Sequence, residues 1–151
     1  MTIRPATDKD IPELMKMLTR HEEYVYLKRM KEMMRGESVQ LVAEDDGHVV
    51  GQVFLTYYGK STYPMYPDIR DMHVHDGKRS NGIGTEFIGV CEELSRLKGF
   101  NRIGLAVNPK LNPRARRLYE RLRYIPTGDE PYLDGVYDGI EEWVIDMVKK
   151  I

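Results

Sequence analysis

The chain has 151 residues, with 41% apolar residues, 31% charged residues and a formal net charge of −1. This balance is typical of a soluble globular protein, and we expect one domain over residues 1–151. The near-neutral charge argues against nucleic acid or an anionic membrane as a partner, and no apolar run approaches the ~20 residues of a membrane span. A lone cysteine, Cys91, excludes an internal disulfide, so we expect a cytoplasmic protein.

The first sixty residues predict a strand, two helices and a hairpin, in that order. A short strand covers residues 2–6, and Asp8 is placed to cap a helix that continues through Leu18. A second helix covers residues 22–34. Asp46-Gly47 then separates two β-branched runs, which is the strongest short-range signal for a β-hairpin.

The middle of the chain predicts a strand–helix–strand unit. Pro64 and Pro67 interrupt the chain after the hairpin, and a strand resumes over residues 69–74. An apolar helical pattern follows over residues 84–97, and a short apolar strand covers residues 102–107. Strand, helix and strand within about 40 residues form a right-handed βαβ unit with parallel strands.

The last third predicts a helix over residues 112–122, a loop over residues 129–139 and a strand over residues 140–148. The loop is rich in Gly, Asp and Tyr. The helix has an apolar stripe that consists of Ala115, Leu118, Tyr119 and Leu122.

Two glycines stand where the strand of the βαβ unit turns into its helix, in the stretch RSNGIGTEFI. Glycine in a helix lowers the stability of the helix by about 1 kcal/mol relative to alanine. Two glycines at this position therefore indicate a role other than helix stability. The first N–H groups of a helix lack intrahelical partners, and Gly82 and Gly84 let an anion such as phosphate approach them. A simple tight turn is the alternative. Phe87 stands where a Rossmann fingerprint needs its third glycine, and no P-loop motif occurs.

The stretch RSNGIG, residues 79–84, matches the Q/R-x-x-G-x-G/A signature of the GNAT superfamily of N-acetyltransferases. The preceding IRDMHV resembles the fourth strand of that family, and NPRARRLYERL, about 30 residues later, resembles its N-x-x-A-x-x-L-Y motif. The resemblance covers nearly the whole chain and is specific between Asp71 and Tyr124. One departure is Arg123-Tyr124, where the family usually has Gly-Phe; it affects the end of the last helix.

The resemblance implies an α/β (α+β) fold with a mixed, mostly antiparallel sheet of about six or seven strands, about four helices and a βαβ cofactor-binding unit. It also implies acetyl-CoA as co-substrate and transfer of its acetyl group to a primary amine by direct attack in a ternary complex. A non-catalytic acyl-CoA-binding or sensor module is the alternative. The sequence leaves a monomer and a homodimer open, and the pair His73-x-His75 supplies too few ligands to predict a metal site.

The resemblance places the pyrophosphate of acetyl-CoA on the N–H groups of Ser80, Asn81, Gly82, Ile83, Gly84 and Thr85. Arg79 adds a guanidinium near the phosphates. The thioester is expected along Met72, His73 and Val74, with the Met72 N–H directed at the carbonyl oxygen. Asn112, an N-cap before Pro113, is implied to contact the pantetheine arm.

Two catalytic roles need candidates, an acid for the leaving thiolate and a base for the amine. Tyr119 is the predicted acid, since a pKa of about 10 keeps a phenol protonated at neutral pH; a core tyrosine is the alternative. The predicted base is one of Asp68, Asp71 and His73, with a chain of waters left open. The alternative is that Asp71 or His73 faces solvent or a neighbouring strand. In a regular strand Asp71 and His73 share one face, while Asp68 shares the other with Met72.

The acceptor is predicted from acidic and aromatic residues of the tail, namely Asp129, Glu130, Tyr132, Asp134, Tyr137 and Asp138. Such a set suits a cationic amine such as a polyamine, an aminoglycoside or a lysine, although an ordinary turn-rich loop has the same composition. The helix over residues 112–122 is strongly basic. Its arginines form either a solvated face or, as the resemblance implies, a contact to the adenosine 3′-phosphate.

Overall fold

The computed structural model describes residues 1–60 and 65–151, and the interruption predicted at Pro64 lies outside them. The strands are β1 Thr2–Pro5, β2 Ser38–Asp45, β3 His48–Lys60, β4 Tyr66–Val74, β5 Arg102–Val107, β6 Ile125–Pro126, β7 Tyr132–Tyr137 and β8 Ile140–Lys150. The helices are α1 Ile11–Met17, α2 Glu23–Met34, α3 Ile83–Leu97 and α4 Pro113–Arg121. In the part of the chain that is described, no helix has the length and apolar character to cross a membrane.

The strands form one sheet in the order β1-β2-β3-β4-β5-β8-β6, and β7 pairs with β8. Among the described strand pairs, β4 and β5 are parallel and the others are antiparallel. Because α3 connects β4 to β5, these three elements are the predicted βαβ unit. The predicted fold class is confirmed, with eight described strands in place of six or seven.

Different helices cover the two faces of the sheet. α3 and α4 pack on the face that includes Leu41 of β2 and Leu105 of β5, which we call the α3/α4 face. α1 and α2 pack on the opposite face, which includes Val42 of β2, and which we call the α1/α2 face. Leu41 and Val42 belong to different cores because successive side chains of a strand point to opposite faces.

The predicted hairpin at Asp46-Gly47 is confirmed. These two residues have φ values of 50° and 77° and connect β2 to β3. Positive φ at both central residues of a two-residue turn is the geometry that matches the twist of an antiparallel pair.

The predicted start of the first helix is wrong. Asp8 does not cap it, because Asp8 begins a 3₁₀ turn that ends at Asp10, and α1 follows from Ile11 to Met17. Asp10 accepts a hydrogen bond of 2.8 Å from the backbone N–H of Thr7. This bond belongs to a capping box in which Thr7 is the N-cap of the 3₁₀ turn and Asp10 is its acidic partner.

Two further predictions of irregular structure are wrong. Pro67 lies inside β4, at a place where the pairing register of β3 and β4 shifts and a missing N–H costs little. The predicted loop over residues 129–139 contains β7, and Asp138-Gly139 forms a second hairpin turn with φ values of 52° and 77°. The Asp-Gly pair gives the same signal here as at Asp46-Gly47.

Candidate active site

β4 and β5 run parallel but separate before either strand ends. Their pairing aligns Asp68 with Gly104 and Ile69 with Leu105, whereas β4 continues to Val74. β5 pairs with β8 on its other edge. Within the described residues, the edge of β4 beyond Ile69 has no strand beside it on the β5 side. Backbone N–H groups there are available to a ligand.

A β-bulge in β4 lies at the start of this open edge. Between the positions opposite Phe54 and Gln52, β4 has one residue more than β3. Asp71 lies in the bulge with a φ of 53°, which non-glycine residues rarely adopt. The extra residue makes part of the predicted alternation wrong. Asp68 and Asp71 both lie on the α1/α2 face, whereas Met72 packs on the α3/α4 face.

A cleft of about 730 Å³ lies where β4 and β5 separate. Its walls come from the end of β4, the turn before α3, and α4. Its lining includes most of the residues that were predicted to bind the cofactor, namely Met72, His73, Val74, Arg79, Ser80, Gly82, Ile83, Gly84, Thr85 and Asn112. Two predicted residues, Asn81 and Tyr119, are not part of the lining.

The turn before α3 has the backbone form of an anion site. Ser80 has a φ of 70°, and Gly82, the residue before the helix, has a φ of 78°. No side chain of the described residues caps this end of α3, so its first N–H groups lack protein partners. A β-carbon on Gly84 would lie 3.4 Å from Leu118 Cδ2 and 3.5 Å from Met72 Cε, so a larger side chain would project into the cleft. The turn therefore presents a concave set of backbone donors.

Basic side chains surround the cleft, and they are Lys78, Arg79, Arg114, Arg117 and Arg121. Three of the four arginines of α4 line the cleft, and they are spaced at i, i+3 and i+7 and so lie on one face of that helix. Arg114 Nη2 donates a hydrogen bond of 2.6 Å to Ser80 Oγ, which joins α4 to the turn before α3. Arg117 and Arg121 have no carboxylate partner within the described residues. The cleft thus concentrates basic side chains on a chain whose formal net charge is −1.

Tyr119 lies in the core beneath the cleft. Its ring is buried and packs edge to face on Tyr124, with the ring centroids 6.3 Å apart. The Tyr124 hydroxyl donates a hydrogen bond of 2.9 Å to Glu92 Oε2, whereas the Tyr119 hydroxyl has no hydrogen-bond partner in the described part of the chain. Burial raises the pKa of Tyr119 to about 12, so the phenol is protonated at neutral pH.

Asp68 is buried between two cations. Lys60 Nζ lies 3.2 Å from Asp68 Oδ1, and Arg70 Nε donates a hydrogen bond of 2.7 Å to Oδ2. Lys60 also donates to Asp146 Oδ1 at 2.7 Å, and the Tyr132 hydroxyl donates to the same oxygen at 2.7 Å. Burial raises the pKa of Asp68 against the effect of both cations. This network joins β3, β4, β7 and β8.

Asp71 is held by side chains from the α1/α2 side. His21 Nε2 lies 2.8 Å from Asp71 Oδ2, and the Arg29 guanidinium donates to the same oxygen. Burial opposes ionisation of this carboxyl, but the His21 hydrogen bond and the Arg29 charge outweigh it and lower the pKa of Asp71 to about 2. An ionised carboxylate with this pKa is a weak proton acceptor at pH 7.

His73 lines the cleft from the end of β4. Burial lowers the pKa of His73, and the nearby charge of Arg79 lowers it further. The imidazole is therefore neutral at pH 7. The same surroundings disfavour the imidazolium that would form if His73 accepted a proton.

The predicted acceptor residues of the tail are partly engaged with this chain's own groups. The Arg20 guanidinium lies 4.2 Å from the centre of the Tyr137 ring, and Arg20 Nη2 lies 3.4 Å from Glu142 Oε2. Asp129 accepts a hydrogen bond of 3.0 Å from the Thr127 hydroxyl. Arg20 thus connects the segment between α1 and α2 to the hairpin of β7 and β8.

The backbone accommodates Arg123-Tyr124, which stands where the family usually has Gly-Phe, without losing the bend after α4. α4 ends at Arg121, and Arg123 adopts a φ of 73°, the left-handed conformation that glycine adopts without strain. Tyr124 is buried in the α3/α4 core, where its hydroxyl binds Glu92. The backbone therefore keeps a glycine-like bend with an arginine.

Three groups near the site were not predicted from the sequence. His21 and Arg29 contact Asp71 across 50 and 42 residues of chain, and no local pattern signals such a contact. Lys78 lines the cleft from a 3₁₀ turn before the glycines. For the basic helix α4, the interpretation as a solvated face holds at Arg116, which pairs with Glu120 at 3.0 Å.

A mostly antiparallel sheet whose two parallel strands separate over a glycine turn defines the class of GNAT-type acyltransferase domains. A family model described as "Acetyltransferase (GNAT) family" matches residues 7–124. The chain belongs to this family. The predicted resemblance and the predicted acetyltransferase class are thereby confirmed.

Solved structures share this fold over the full length. A ribosomal-protein-alanine N-acetyltransferase from Brucella melitensis has 19% identity and a TM-score of 0.83, with 100% of both chains covered. The putative acetyltransferase yncA from Salmonella typhimurium, solved with acetyl-CoA, has 18% identity and a TM-score of 0.81, with 99% of this chain and 93% of that chain covered. A phosphinothricin acetyltransferase from Sinorhizobium meliloti, solved in complex with acetyl-CoA, has 16% identity and a TM-score of 0.80, with 99% and 88% covered. No curated protein sequence matches the chain.

Proposed function

We propose that this protein is an N-acetyltransferase that moves an acetyl group from acetyl-CoA to a primary amine. The observation that carries the proposal is the cleft where β4 and β5 separate, since it joins an open strand edge to an uncapped helix start. The family supplies the reaction class, and two structures of similar fold contain acetyl-CoA.

The residues of the cleft fit the parts of acetyl-CoA. Backbone N–H groups of residues 80–85, with Arg79, suit the pyrophosphate. Arg117 and Arg121 supply guanidinium groups without carboxylate partners, which suits the 3′-phosphate. The open edge of residues 72–74 suits the amide groups of the pantetheine arm. Asn112 accepts a hydrogen bond of 3.2 Å from Ala115 N, which leaves its amide N–H₂ to donate to the same arm.

Bound acetyl-CoA supplies a thioester carbonyl, which an uncharged amine attacks so that a C–N bond forms as the C–S bond breaks. The Met72 N–H stabilises negative charge on the carbonyl oxygen, an effect worth about 3 kcal/mol for one donor. Tyr119 donates its phenol proton to the departing sulfur. Its hydroxyl has no hydrogen-bond partner among the described residues and is therefore available for this role.

Cys91 gives further support for direct attack on the thioester. The thiol is fully buried, and burial raises its pKa to about 12. Only a thiolate is nucleophilic, so Cys91 is unsuited to carry an acetyl group between donor and acceptor.

Calorimetry with acetyl-CoA, followed by a thiol-release assay on amines, tests the proposal. The amines are a peptide that begins with alanine, phosphinothricin and spermidine, which together include neutral, anionic and cationic acceptors. We expect binding of acetyl-CoA and thiol release with at least one amine. Binding without release would favour the acyl-CoA sensor, and a protein that does not bind acetyl-CoA would refute the proposal.

A further inference from the structure

The acceptor amine must reach the open edge of β4 from the α1/α2 face. On the opposite face, α3 and α4 already form the walls of the cleft. The segment between α1 and α2 and the hairpin of β7 and β8 lie on the accessible side, where Arg20 connects them. An amine is mostly protonated at pH 7, so a proton acceptor is needed on this side.

The segment between α1 and α2 places His21 at this position. His21 Nε2 lies 2.8 Å from Asp71 Oδ2, and Asp71 directly precedes Met72, which lines the cleft. The His21 side chain is 20% exposed, and it lies outside the lining of the cleft, on the α1/α2 side of Asp71. The neighbouring Arg20 is fixed against Tyr137. His21 thus contacts the bulge of β4, and the residue before it contacts the C-terminal hairpin.

We propose that His21 is the general base of the acetyl transfer and that Asp71 is its positioning residue, an inference that rests on the proposed function. The ionised carboxylate of Asp71 accepts the hydrogen bond of Nε2–H, so Nδ1 presents a lone pair. Nδ1 takes one proton from the ammonium of the acceptor, which yields a neutral amine and an imidazolium. The freed lone pair of nitrogen forms the C–N bond, and Asp71 stabilises the imidazolium.

The groups around His21 are consistent with this role. From β4, Asp71 supplies a negative charge and has a pKa of about 2, so it is ionised wherever a histidine titrates. From α2, Arg29 shares the Asp71 oxygen, and the Tyr26 ring packs edge to face on the imidazole with the centroids 6.1 Å apart. From the same segment, Arg20 has its charge paired with Glu142.

His73 is the rival base on the same face of the sheet. Its imidazolium is disfavoured by burial and by Arg79, and no carboxylate of the described residues accepts a hydrogen bond from it. His21 has the opposite surroundings, because an ionised carboxylate contacts its ring. The carboxylate fixes the orientation of the His21 ring, whereas no carboxylate of the described residues does so for His73.

His21→Ala and Asp71→Asn test the inference on an amine that the wild type acetylates. For His21→Ala we expect kcat/KM to fall 10²- to 10³-fold, unchanged affinity for acetyl-CoA by calorimetry, and partial rescue by added imidazole. For Asp71→Asn, which tolerates the left-handed backbone, we expect the acidic limb of kcat/KM to move about one pH unit lower. The reason is that the imidazolium loses its carboxylate. His48→Gln, an exposed histidine at the start of β3, is the matched control.

Turnover of His21→Ala within threefold of the wild type overturns the inference. The inference is also overturned if added imidazole does not restore the activity of His21→Ala and the acidic limb of kcat/KM does not move in Asp71→Asn. A large loss in His73→Gln with an active His21→Ala would assign the role to His73. These outcomes leave acetyl transfer by the wild type intact. If the wild type binds acetyl-CoA and acetylates none of the amines, the proposed function is refuted, and the role of His21 as its general base is refuted with it.

Discussion

The two faces of the sheet present their polar groups in different ways. On the α3/α4 face the cleft is built from backbone N–H groups and from basic side chains within residues 72–121. Arg117 and Arg121 have no carboxylate partner among the described residues, whereas Arg79 pairs with Asp76 at 3.0 Å and Lys78 with Asp45 at 3.0 Å. On the α1/α2 face the charged side chains are already paired, as Asp71 is with Arg29 and Asp68 with Lys60. The cleft therefore keeps backbone N–H groups that are free to bind a ligand, whereas the opposite face uses these charged side chains within the fold.

Tyr119→Phe is the change with the largest expected effect, and it tests whether the core under the cleft takes part in the reaction. We expect turnover to fall 10²- to 10⁴-fold, because the sulfur loses its proton donor. The melting temperature should barely change, since the hydroxyl has no partner among the described residues.

Tyr124→Phe is the matched control for that experiment, because its ring packs on Tyr119. Its hydroxyl binds the buried Glu92, so we expect a loss of about 1–2 kcal/mol in stability and near-normal turnover. Turnover of Tyr119→Phe within threefold of the wild type would contradict the role of Tyr119 as general acid and would indicate a structural role.

Gly84→Val tests the backbone site directly. Its β-carbon has room beside Met72 and Leu118, but the branched methyls would enter the cleft, so we expect acetyl-CoA affinity to fall about 100-fold by calorimetry. Gly89→Val on the exposed side of the same helix is the control and should bind normally. Arg79→Ala should weaken binding less, because the backbone donors remain. Normal binding by a folded Gly84→Val protein contradicts the site.

The acid stability of the protein tests the paired charges of the α1/α2 face. The pKa of Asp71 is about 2 in the fold against an ordinary 3.8, so its ionised form stabilises the fold above about pH 4. That contribution, roughly 2 kcal/mol, is lost as the pH falls through 2. We expect Asp71→Asn to be less stable at pH 7 and to lose less stability between pH 4 and pH 2, as measured by urea unfolding. Parallel pH profiles for the two proteins would contradict the assigned pairing.

Arg117→Ala and Arg121→Ala test the phosphate contacts of α4. We expect each to weaken acetyl-CoA binding about fivefold to tenfold, and to have little effect on binding of acetyl-dephospho-CoA, which lacks the 3′-phosphate. Arg116→Ala is the control on the same helix, because Arg116 pairs with Glu120. Equal losses with both forms of the donor would place these arginines away from the 3′-phosphate.

Arg123→Gly has the smallest expected effect and tests the bend after α4. Glycine relieves an unfavourable left-handed conformation worth about 1 kcal/mol, and part of that gain is offset by its freedom in the unfolded chain. We expect a gain of about 0.5 kcal/mol in thermal unfolding, with unchanged acetyl-CoA binding. A loss of stability would show that the Arg123 side chain contributes contacts that outweigh the strain.

The cleft was predictable because its parts are local in sequence. Gly82, Gly84 and the N-cap Asn112 have spacings that a helix start explains, and the strand–helix–strand order fixes where they meet. The contacts on the α1/α2 face were less predictable. Asp71 meets His21 across 50 residues, and its direction depends on a bulge that no residue pattern signals.

The position of β8 in the sheet has a consequence for synthesis on the ribosome. β8 lies between β5 and β6, although it follows both along the chain. While residues 140–150 are still in the exit tunnel, β5 has a bare edge and β6 has no neighbour to pair with. A nascent chain can assemble the βαβ unit early, but it must keep that edge from pairing with other polypeptides until β8 leaves the exit tunnel. Slow codons just before residue 140 would lengthen this exposure, and a chaperone that shields strand edges would shorten it.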